Sequence, residues 1–456
     1  MHAGYRNRSS GSLSSVGYNS YWWSYAPSSQ ASSRNLNFNS SNVNPLNNNN
    51  RANGFAVLPA QEFEFILLGI FIMTYNDLYY YTTRAYLDAR KNERNTSAQI
   101  DFELNLESNI RDLVDSLYYK SWKPAPLYWF IMIDPTLREV FSPIFRDRIV
   151  SHILFNFLYP VFDNTFIYDS YSCRKEKGTL FGIDRFEHHI RSVTNNYTLP
   201  GYCLNIDISG YFMSIDRNIL YNIIIDTLYK KEFNIKYFDF VEYLISSYLF
   251  RDPLENSKFI GNPNYIKLMP ENKSLRFCKP GVGLPIGDVT NQLNSNIYMN
   301  LFDYFVLRKL HIKHYGRYVD DSRLLYNDYK YLEECKIASD EFLTNVLHLT
   351  MHPNKTTITD LYDTNYFLGA AFKPYRKYVT NKTIKRTKKY FKYLNDEIIN
   401  DPYFNKEYEL SHLNSRLGYF SHFNEYKFLK REIEKYPSLI NIYEFDTNLS
   451  KAKIIQ

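Results

Sequence analysis

The spacing of apolar residues predicts long helices in several parts of the chain. Over residues 77–91 and again over 102–119, apolar side chains recur with the period of an amphipathic helix. Residues 138–159 are rich in Arg and apolar residues, and we expect a loop there that runs into a helix. A further helix is expected over residues 331–348. The run 289–310 predicts a long helix with one apolar stripe, formed by Leu293, Ile297, Leu301 and Phe305.

Three shorter segments have the pattern of strands. Residues 202–208 alternate between two sets of side chains, which is typical of a strand. Residues 315–326 have apolar flanks around Asp320 and Asp321, and this pattern suits a hairpin with both acids at its tip. Residues 366–372 are apolar enough for another strand. Strands interspersed with helices in this way predict an α+β fold.

The first 60 residues differ from the remainder in pattern and in composition. They show no helical or strand period, and they contain 12 Asn and 13 Ser. They also carry four Arg and no acidic residue, so they supply +4 of the formal net charge of +6. Such a composition is typical of a disordered or linker-like segment.

Length and composition exclude several classes of protein. A chain of 456 residues suggests two or three domains with a sizeable buried core. The four Cys have neither zinc-site nor disulfide-framework spacing, which favours a reducing compartment. The longest apolar run has nine residues, too few to span a membrane, and no signal-peptide pattern opens the chain. We therefore expect a cytoplasmic protein without a membrane partner.

A basic segment near the C-terminus predicts contact with nucleic acid. Residues 371–395 hold nine Lys or Arg and no acid, and Tyr375, Tyr378, Tyr390, Phe391 and Tyr393 are interleaved among them. Cations neutralise phosphates and aromatic rings pack on sugars or bases, so this mixture suits a polynucleotide. The alternative is an ordinary helix with a solvated charged face.

Three aspartates form the strongest candidate for chemistry. Asp207 ends a strand with a buried pattern, and Asp320 and Asp321 lie 113 positions later at a hairpin tip. Carboxylates that converge repel one another, so a cluster of them implies a hard cation. Two Mg²⁺ ions about 4 Å apart would activate a 3′-hydroxyl and stabilise a leaving pyrophosphate. Taken singly, each Asp would be a turn or cap residue.

The segments around these aspartates resemble motifs of reverse transcriptases. Tyr318-Val319-Asp320-Asp321 resembles their Tyr-x-Asp-Asp signature, and residues 205–212 are similar to the motif with their first metal-binding aspartate. Further segments resemble other motifs in the family's order, at residues 141–148, 169–179, 283–292, 352–355 and 367–369. The resemblance covers about residues 73–435.

This resemblance implies a fold, an activity and cofactors. The fold would be a right-hand polymerase with a ferredoxin-like palm and a helical thumb. The activity would be RNA-directed DNA synthesis from deoxynucleoside triphosphates, with template RNA and cDNA as partners and two Mg²⁺, or Mn²⁺, as cofactors. The implied boundaries are residues 1–72 for the Asn/Ser-rich segment, 73–200 for N-terminal helices and fingers, 201–370 for the palm with a fingers insertion at 217–280, 371–435 for the thumb and 436–456 for a tail.

The resemblance also implies the roles of individual residues. Asp207, Asp320 and Asp321 would be catalytic metal ligands, and Lys355 would protonate the leaving pyrophosphate. Phe212 lies where the family has an aromatic gate against a ribose 2′-hydroxyl. The implied nucleotide-binding set is Arg174, Lys177, Phe212, Ile286, Gly287 and Gln292. The implied primer grip is Phe367, Leu368 and Gly369, and the nucleic-acid backbone would contact Lys385, Arg386, Lys388 and Lys389.

The motif at residues 286–292 resembles that of one subgroup, the enzymes of diversity-generating retroelements. An aliphatic Ile286 precedes Gly287, and Gln292 stands where most of the family has Pro. Asn291 departs from the subgroup's usual Ser. The subgroup implies a bacterial or phage-encoded enzyme that is error-prone opposite template adenines, with a small basic ring-forming accessory protein. Ile286 removes a hydrogen-bonding side chain near the templating base, which is our hypothesis for the errors.

The N-terminal segment resembles the end of the lectin-like proteins that such retroelements diversify. Mutation at adenines acts best on Asn codons, so a translated template repeat would be rich in Asn. We expect that residues 1–72 are such a repeat with its spacer, and that the functional enzyme starts at Met73. The alternative is a genuine Asn/Ser-rich N-terminal extension.

Two other functions are compatible with the sequence. One is a reverse transcriptase of antiviral defence or abortive infection, which gene neighbourhood would distinguish. The other, of a different class, is a non-catalytic RNA-binding scaffold that keeps the polymerase fold. The three aspartates argue against the scaffold.

Overall fold

The computed structural model describes residues 73–91, 96–134, 136–230 and 237–455. Before residue 73 it gives only the backbone of six strands, β1–β6, at Tyr5–Arg6, Leu13–Ser14, Asn19–Pro27, Ser32–Asn39, Asn42–Asn50 and Ala56–Val57. The predictions of disorder and of a translated template repeat fall outside the described residues and stay predictions.

The described part is a mixture of helices and strands, as the α+β prediction states. Its α-helices are α1 Tyr75–Ala89, α2 Ser97–Leu104, α3 Leu106–Tyr118, α4 Phe145–Asp163, α5 Thr179–Val193, α6 Tyr211–Ser214, α7 Arg217–Lys230, α8 Phe238–Leu249, α9 Val289–Arg308, α10 Tyr329–Leu347, α11 Asn381–Asn400, α12 Lys406–Phe420, α13 Tyr426–Glu434 and α14 Pro437–Ile442. Short 3-10 helices lie at Pro263–Leu268, Glu271–Lys273 and Leu275–Phe277.

The strands after residue 73 form four sheets. They are β7 Tyr128–Met132, β8 Arg138–Ser142, β9 Tyr202–Ile206, β10 Lys258–Phe259, β11 His314–Tyr318, β12 Asp321–Tyr326, β13 Thr357–Asp360, β14 Asn365–Phe367, β15 Ala370–Lys373, β16 Arg376–Val379, β17 Tyr443–Phe445 and β18 Ala452–Ile454. The sheet orders are β10-β7-β8, β11-β12-β9-β13, β14-β15-β16 and β17-β18.

The chain divides into two compact units. The first comprises Met1–Arg84, Leu104–Lys123 and Leu228–Ser247, and the second comprises Ala85–Glu103, Pro124–Thr227 and Tyr248–Gln456. In the first unit, α1 begins at Tyr75 because Thr74 and Asp77 form a reciprocal cap. The Asp77 backbone N–H donates to Thr74 Oγ1 at 3.1 Å.

The segments predicted to be helical are helical in the structure, but the bounds of two of these helices differ from the prediction. The helix expected at 77–91 is α1, but the one expected at 102–119 is two helices, α2 and α3, with Asn105 between them at a non-helical ψ of 44°. The helix expected at 289–310 is α9, which Asp288 caps by accepting from the Thr290 N–H at 2.7 Å.

The predicted single apolar stripe on α9 is wrong. Leu301, assigned to that stripe, is 38% exposed, whereas the polar side chains of Asn291, Asn294, Asn296 and Asp303 are buried. A helix that is covered on most sides buries polar residues too, provided that they are hydrogen-bonded. Asn296, for example, donates from Nδ2 to the Ser172 carbonyl at 2.8 Å.

The segment expected to be a loop at the start of 138–159 is the strand β8. Its buried positions are Glu139 and Phe141, one charged and one aromatic, so the alternation of a strand is hidden in the sequence. The Glu139 carboxylate is accommodated because it accepts hydrogen bonds from Ser274 Oγ at 2.9 Å and from the Leu275 N–H at 2.8 Å. Helix α4 follows directly.

The strand expected at 366–372 is instead a hairpin, and the expected tail is part of a core. β14 and β15 pair with Phe367 opposite Ala370, and the turn residues Leu368 and Gly369 both have positive φ, of 49° and 82°. Helices α11–α13 share one hydrophobic cluster with residues beyond the expected boundary at 435, namely Leu439, Tyr443, Leu449 and Ala452.

Candidate active site

The sheet β11-β12-β9-β13 brings the three aspartates together. β12 pairs antiparallel with β9, with Ser322 opposite Ile206. The same register places Asp321 opposite Asp207, the residue that follows β9, and adjacent strands lie about 4.8 Å apart. Asp320 lies in the two-residue turn between β11 and β12, where Tyr318 pairs with Asp321. The expected convergence of strand end and hairpin tip is therefore present.

The turn that carries Asp320 has a constrained backbone. Val319 has a φ of +57°, which is costly for a β-branched residue. Two hydrogen bonds hold it: the Val319 N–H donates to Ser172 Oγ at 3.1 Å, and Arg317 Nη1 donates to the Val319 carbonyl at 2.7 Å. Both groups stabilise the position of Asp320.

The arginine that contacts this turn, Arg317, belongs to a buried ion pair with Asp303. Arg317 and Asp303 are fully buried, and the guanidinium makes two 2.7 Å hydrogen bonds to the two carboxylate oxygens. Tyr315 donates its hydroxyl to the same carboxylate at 2.7 Å. This pair was not predicted from the sequence, although a charged residue inside each of two apolar segments was a signal for it.

The electrostatics of the aspartates reflect their proximity. Burial first, and then the negative charges of Asp207 and Asp321, raise the pKa of Asp320 to about 6. The pKa of Asp321 is also raised, mainly by burial, while the neighbouring Arg323 guanidinium opposes that shift. Charged carboxylates at this place therefore need a cation to compensate them.

Two side-chain cations contact the aspartates. Lys355 donates from Nζ to Asp207 Oδ2 at 2.8 Å. The loop that carries Lys355 is attached to the same residue, since the His352 N–H donates to the Asp207 carbonyl at 2.7 Å. Arg323 is paired with Asp321, with one Nη2–Oδ2 distance of 3.2 Å. Arg323 was not among the site residues predicted from the sequence.

The three aspartates offer the type of ligand atom that a hard divalent cation binds. All three side chains offer carboxylate oxygens, which Mg²⁺ prefers. Among the described residues, no group of three His, Cys, Asp or Glu is arranged closely enough to hold an ion. Lys355 and Arg323 neutralise two of the three carboxylates, and a bound cation would have to replace these contacts.

The expected gate, Phe212, and the first residue of the motif at 286–292, Ile286, pack against one cluster. Phe212 and Ile286 are partly buried and pack against a core that includes Phe141 and Met213. The Leu284 N–H donates to the Phe212 carbonyl at 2.7 Å, which fixes the two segments together. Phe212 and Ile286, assigned separately from the sequence, are thus brought together.

Gly287 has a structural requirement of its own. Its φ is +126°, and a Cβ there would lie 2.4 Å from the Phe141 carbonyl oxygen of β8. In this structure the backbone of Gly287 approaches β8 closely, and its role in nucleotide binding stays a prediction. Gln292 is exposed on α9. Asn291 is buried and donates to the Pro285 carbonyl at 3.0 Å.

Of the two cations assigned to the triphosphate, Arg174 is engaged inside the protein. Its guanidinium pairs with Asp163 at 2.7 Å and donates to the carbonyls of Ile167 and Ser170 at 2.7 and 3.2 Å. These contacts engage most of the Arg174 donors inside the protein, and its assignment to phosphate binding stays a prediction. Burial, followed by repulsion from Arg174, lowers the pKa of Lys177 to about 8.

The predicted primer grip connects to the aspartates through Arg323. Phe367 is buried, and the Arg323 guanidinium lies 4.8 Å from its ring centroid while also pairing with Asp321. Leu368 is partly buried and Gly369 is exposed in the turn that follows. A chain of direct contacts therefore links Phe367 to Asp321.

The predicted backbone-binding residues lie on α11. Helix α11 buries Thr387, Phe391 and Leu394, and this stripe leaves the basic side chains on the other faces. All four predicted residues are exposed, namely Lys385, Arg386, Lys388 and Lys389. Arg386 pairs with the exposed Asp134 at 2.6 Å, which neutralises part of this basic surface.

Comparison with known proteins finds distant similarity to solved structures. No protein-family model matches the sequence, and no curated protein matches it. Two solved structures of apo telomerase from Candida tropicalis, one truncated at the C-terminal domain, are similar at 11% identity, with TM-scores of 0.38 and 0.39. The matches cover 58% and 72% of this chain and 58% and 62% of the telomerase chains. At this level the likeness does not establish a shared fold, so residue roles rest on the site geometry.

The described residues contain no helix long and apolar enough to cross a lipid bilayer.

Proposed function

We propose that this protein is an RNA-directed DNA polymerase that acts at Asp207, Asp320 and Asp321. The observation that carries the proposal is that two segments 113 positions apart in the sequence meet at the same end of one sheet. The raised pKa of Asp320 supports it, because Asp207 and Asp321 contribute to that shift. A site with this electrostatic demand for a cation suits phosphoryl transfer.

In this proposal the three carboxylates hold two Mg²⁺ or Mn²⁺ ions. When bound, the ions would supply activation of the primer 3′-hydroxyl and stabilisation of the leaving pyrophosphate. Lys355 would leave Asp207 and donate a proton from Nζ to the pyrophosphate oxygen. Ser172 and Arg317 keep the Val319 turn in place and so orient Asp320.

Phe212 and Ile286 would select the incoming nucleotide and its template base. The Phe212 ring would exclude a ribose 2′-hydroxyl, and Ile286 packs in the same cluster. Gly287 and Gln292 would lie beside the nucleotide, with Lys177 near its phosphates. Phe367, Leu368 and Gly369 would contact the primer, and the exposed cations of α11 would contact template RNA or cDNA.

Primer extension tests the proposal directly. Asp320→Asn should abolish Mg²⁺-dependent incorporation of deoxynucleotides on an RNA template, because an amide cannot replace a charged metal ligand. Asp340→Asn is the matched control, since Asp340 is an exposed acid on α10 and its loss changes net charge equally. Equal activity of both variants and the wild type would contradict the proposal.

A non-catalytic RNA-binding scaffold is the second candidate. It is favoured by the ion pairs of Asp207 with Lys355 and of Asp321 with Arg323, which neutralise two carboxylates without any metal. RNA binding without extension activity at any Mg²⁺ or Mn²⁺ concentration would support the scaffold.

We further propose that the enzyme belongs to a diversity-generating retroelement and works with a small basic accessory protein. The support is Ile286, whose side chain cannot form a hydrogen bond and packs against the same cluster as Phe212. Ile286→Gln should lower misincorporation opposite template adenines, and an unchanged error rate would contradict the idea. Flanking DNA with a repeat that matches the codons of residues 1–57 would separate this proposal from antiviral defence.

The N-terminal segment has its own test. We propose that translation of the functional enzyme starts at Met73. Intact-mass measurement of the native protein should then give a species that begins at Met73, and a species that begins at Met1 would show that the Asn/Ser-rich segment is part of the protein.

A further inference from the structure

A basic cavity lies in the second unit, and the three aspartates are not among the residues that line it. Its volume is about 310 Å³, and it is lined by Arg217 and by the loops around residues 250–254 and 275–282. The lining includes four cations and one carboxylate, namely Arg217, Arg251, Arg276, Lys279 and Asp252. This excess of positive charge makes an anion the expected ligand.

The wall of the cavity is built around the buried Arg217. Its guanidinium donates to the carbonyls of Gly283 at 2.7 Å and Arg251 at 2.8 Å, and its backbone N–H donates to the Gly281 carbonyl at 2.9 Å. These acceptors are backbone carbonyls, which orient the guanidinium without neutralising its charge. Arg217 therefore holds both loops together and leaves a positive field in the cavity.

Arg251 lines the same cavity and has an unsatisfied donor. Its Nη1 atom is buried and has no hydrogen-bond partner in the described part of the chain. The guanidinium lies 5.3 Å from the ring centroid of Tyr248, a contact that uses its face and not its N–H groups. The guanidinium of Arg251 therefore adds positive charge to the wall of the cavity.

The remaining charged groups differ in how far they are already paired. The side chain of Lys279 is exposed. Arg276 already forms an ion pair with the buried Glu139, with an Nε–Oε1 distance of 3.5 Å. The carboxylate of Asp252 accepts from the Leu254 N–H at 2.9 Å, which uses one of its oxygens within the loop. Arg251 and Lys279 are thus the cations most able to bind a ligand.

We propose that this cavity binds a phosphate group. Phosphate oxygens match the planar donors of a guanidinium, and a phosphate carries the charge that this cavity lacks. The phosphate belongs either to a free anion or to the backbone of a polynucleotide, and the test separates these two sources. The proposal goes beyond the polymerase function and does not depend on it.

The experiment measures binding to the full-length chain in the presence of EDTA, so that the aspartates, without a cation, repel anions. Inorganic phosphate and pyrophosphate are titrated by calorimetry, and a fluorescein-labelled oligouridylate is titrated by fluorescence anisotropy. Arg251→Gln should weaken binding about tenfold, the effect of losing one charge-assisted hydrogen bond. Lys279→Gln should weaken it a few-fold and reduce its salt dependence.

Lys267→Gln is the matched control, because Lys267 is an exposed cation of a neighbouring 3-10 helix that does not line the cavity. It should bind within about twofold of the wild type by the same charge argument. Thermal unfolding of each variant checks the fold, and Lys279→Gln remains informative if Arg251→Gln is unstable, since Lys279 is exposed.

The outcomes distinguish the two sources and the failure of the proposal. If phosphate or pyrophosphate binds saturably and the two cavity variants weaken it, the ligand is a free anion. If only oligouridylate binding depends on Arg251 and Lys279, the ligand is a polynucleotide backbone. The proposal is overturned if neither probe binds, or if both cavity variants behave like Lys267→Gln.

Discussion

The ammonium group of Lys355 donates to Oδ2 of Asp207 at 2.8 Å, although the two residues are 148 positions apart. The Asp207 side chain is 23% exposed and that of Lys355 is 60% exposed, so the pair lies at an open site. This contact places a proton donor directly beside a candidate metal ligand.

Two replacements of Lys355 should show whether its contribution to primer extension comes from proton donation or from its positive charge. Lys355→Gln should lower the single-turnover rate of primer extension by about 100-fold or more, as expected for loss of a general acid. Lys355→Arg keeps the ion pair with Asp207, but a guanidinium does not release a proton, so its rate should also be low. Full activity of the Arg variant would show that only the charge matters.

Stability of the same two variants provides the control. The pair is largely exposed, and its loss should change the free energy of unfolding by less than about 1 kcal/mol. A large destabilisation in urea unfolding would mean that low activity reflects a damaged fold.

Asp320→Asn should make the protein more stable at neutral pH in the presence of EDTA. The folded-state pKa of Asp320 is about 6, above its ordinary value of 3.8, so the folded state holds the proton more tightly. Stability is therefore lost as pH rises from about 4 to about 6, and the asparagine variant avoids this loss. The gain at pH 8 should be on the order of 2–3 kcal/mol.

Urea unfolding at pH 3.5 and at pH 8 measures this effect. Little difference between the variant and the wild type is expected at the lower pH, where Asp320 is mostly protonated in both states. An equal gain at both pH values would contradict the electrostatic explanation.

Removal of Arg317 should strongly destabilise the protein. Arg317→Met leaves the buried Asp303 carboxylate without its cation, and such a loss costs about 3–5 kcal/mol. The double variant Arg317→Met/Asp303→Leu removes both charges and should recover at least half of that free energy of unfolding. Urea unfolding of the wild type, the single variants and the double variant provides the thermodynamic cycle.

Primer extension of the double variant gives an independent readout. The Val319 carbonyl loses its Arg317 donor in that variant, so Asp320 is less well oriented and activity should stay low. Recovery of both stability and activity would show that the ion pair has no positioning role.

Two glycines with nearly equal φ separate backbone strain from steric contact. Gly178 has a φ of +132°, and a Cβ there would enter open space, whereas a Cβ on Gly287, at +126°, would lie 2.4 Å from the Phe141 carbonyl oxygen. Gly178→Ala should cost about 1–3 kcal/mol for the backbone conformation alone. Gly287→Ala should cost about 1–3 kcal/mol more because of the contact.

Urea unfolding of both variants measures this difference. Equal losses at Gly178 and Gly287 would show that the loop before α9 moves away from β8 and that the approach to Phe141 is not required.

Local sequence patterns predicted much of the fold and the principal site. Helix α9 was predicted because its apolar periodicity is a local property. The strand before Asp207 was predicted from alternation, and the Asp320–Asp321 hairpin from its apolar flanks. The strand β8 was not predicted because a buried Glu139 interrupts the expected apolar alternation. The predicted stripe of α9 was wrong because sequence period does not report what covers a helix.

The amino-acid sequence by itself determined which residues form most of the helices and strands and where the candidate chemistry lies, since these depend on neighbours along the chain. Only the tertiary structure decided that Lys355 pairs with Asp207, that Arg323 pairs with Asp321 and that Arg174 is used internally. These contacts join residues through strand register and packing. Partners at long range depend on the three-dimensional arrangement, which no local period encodes.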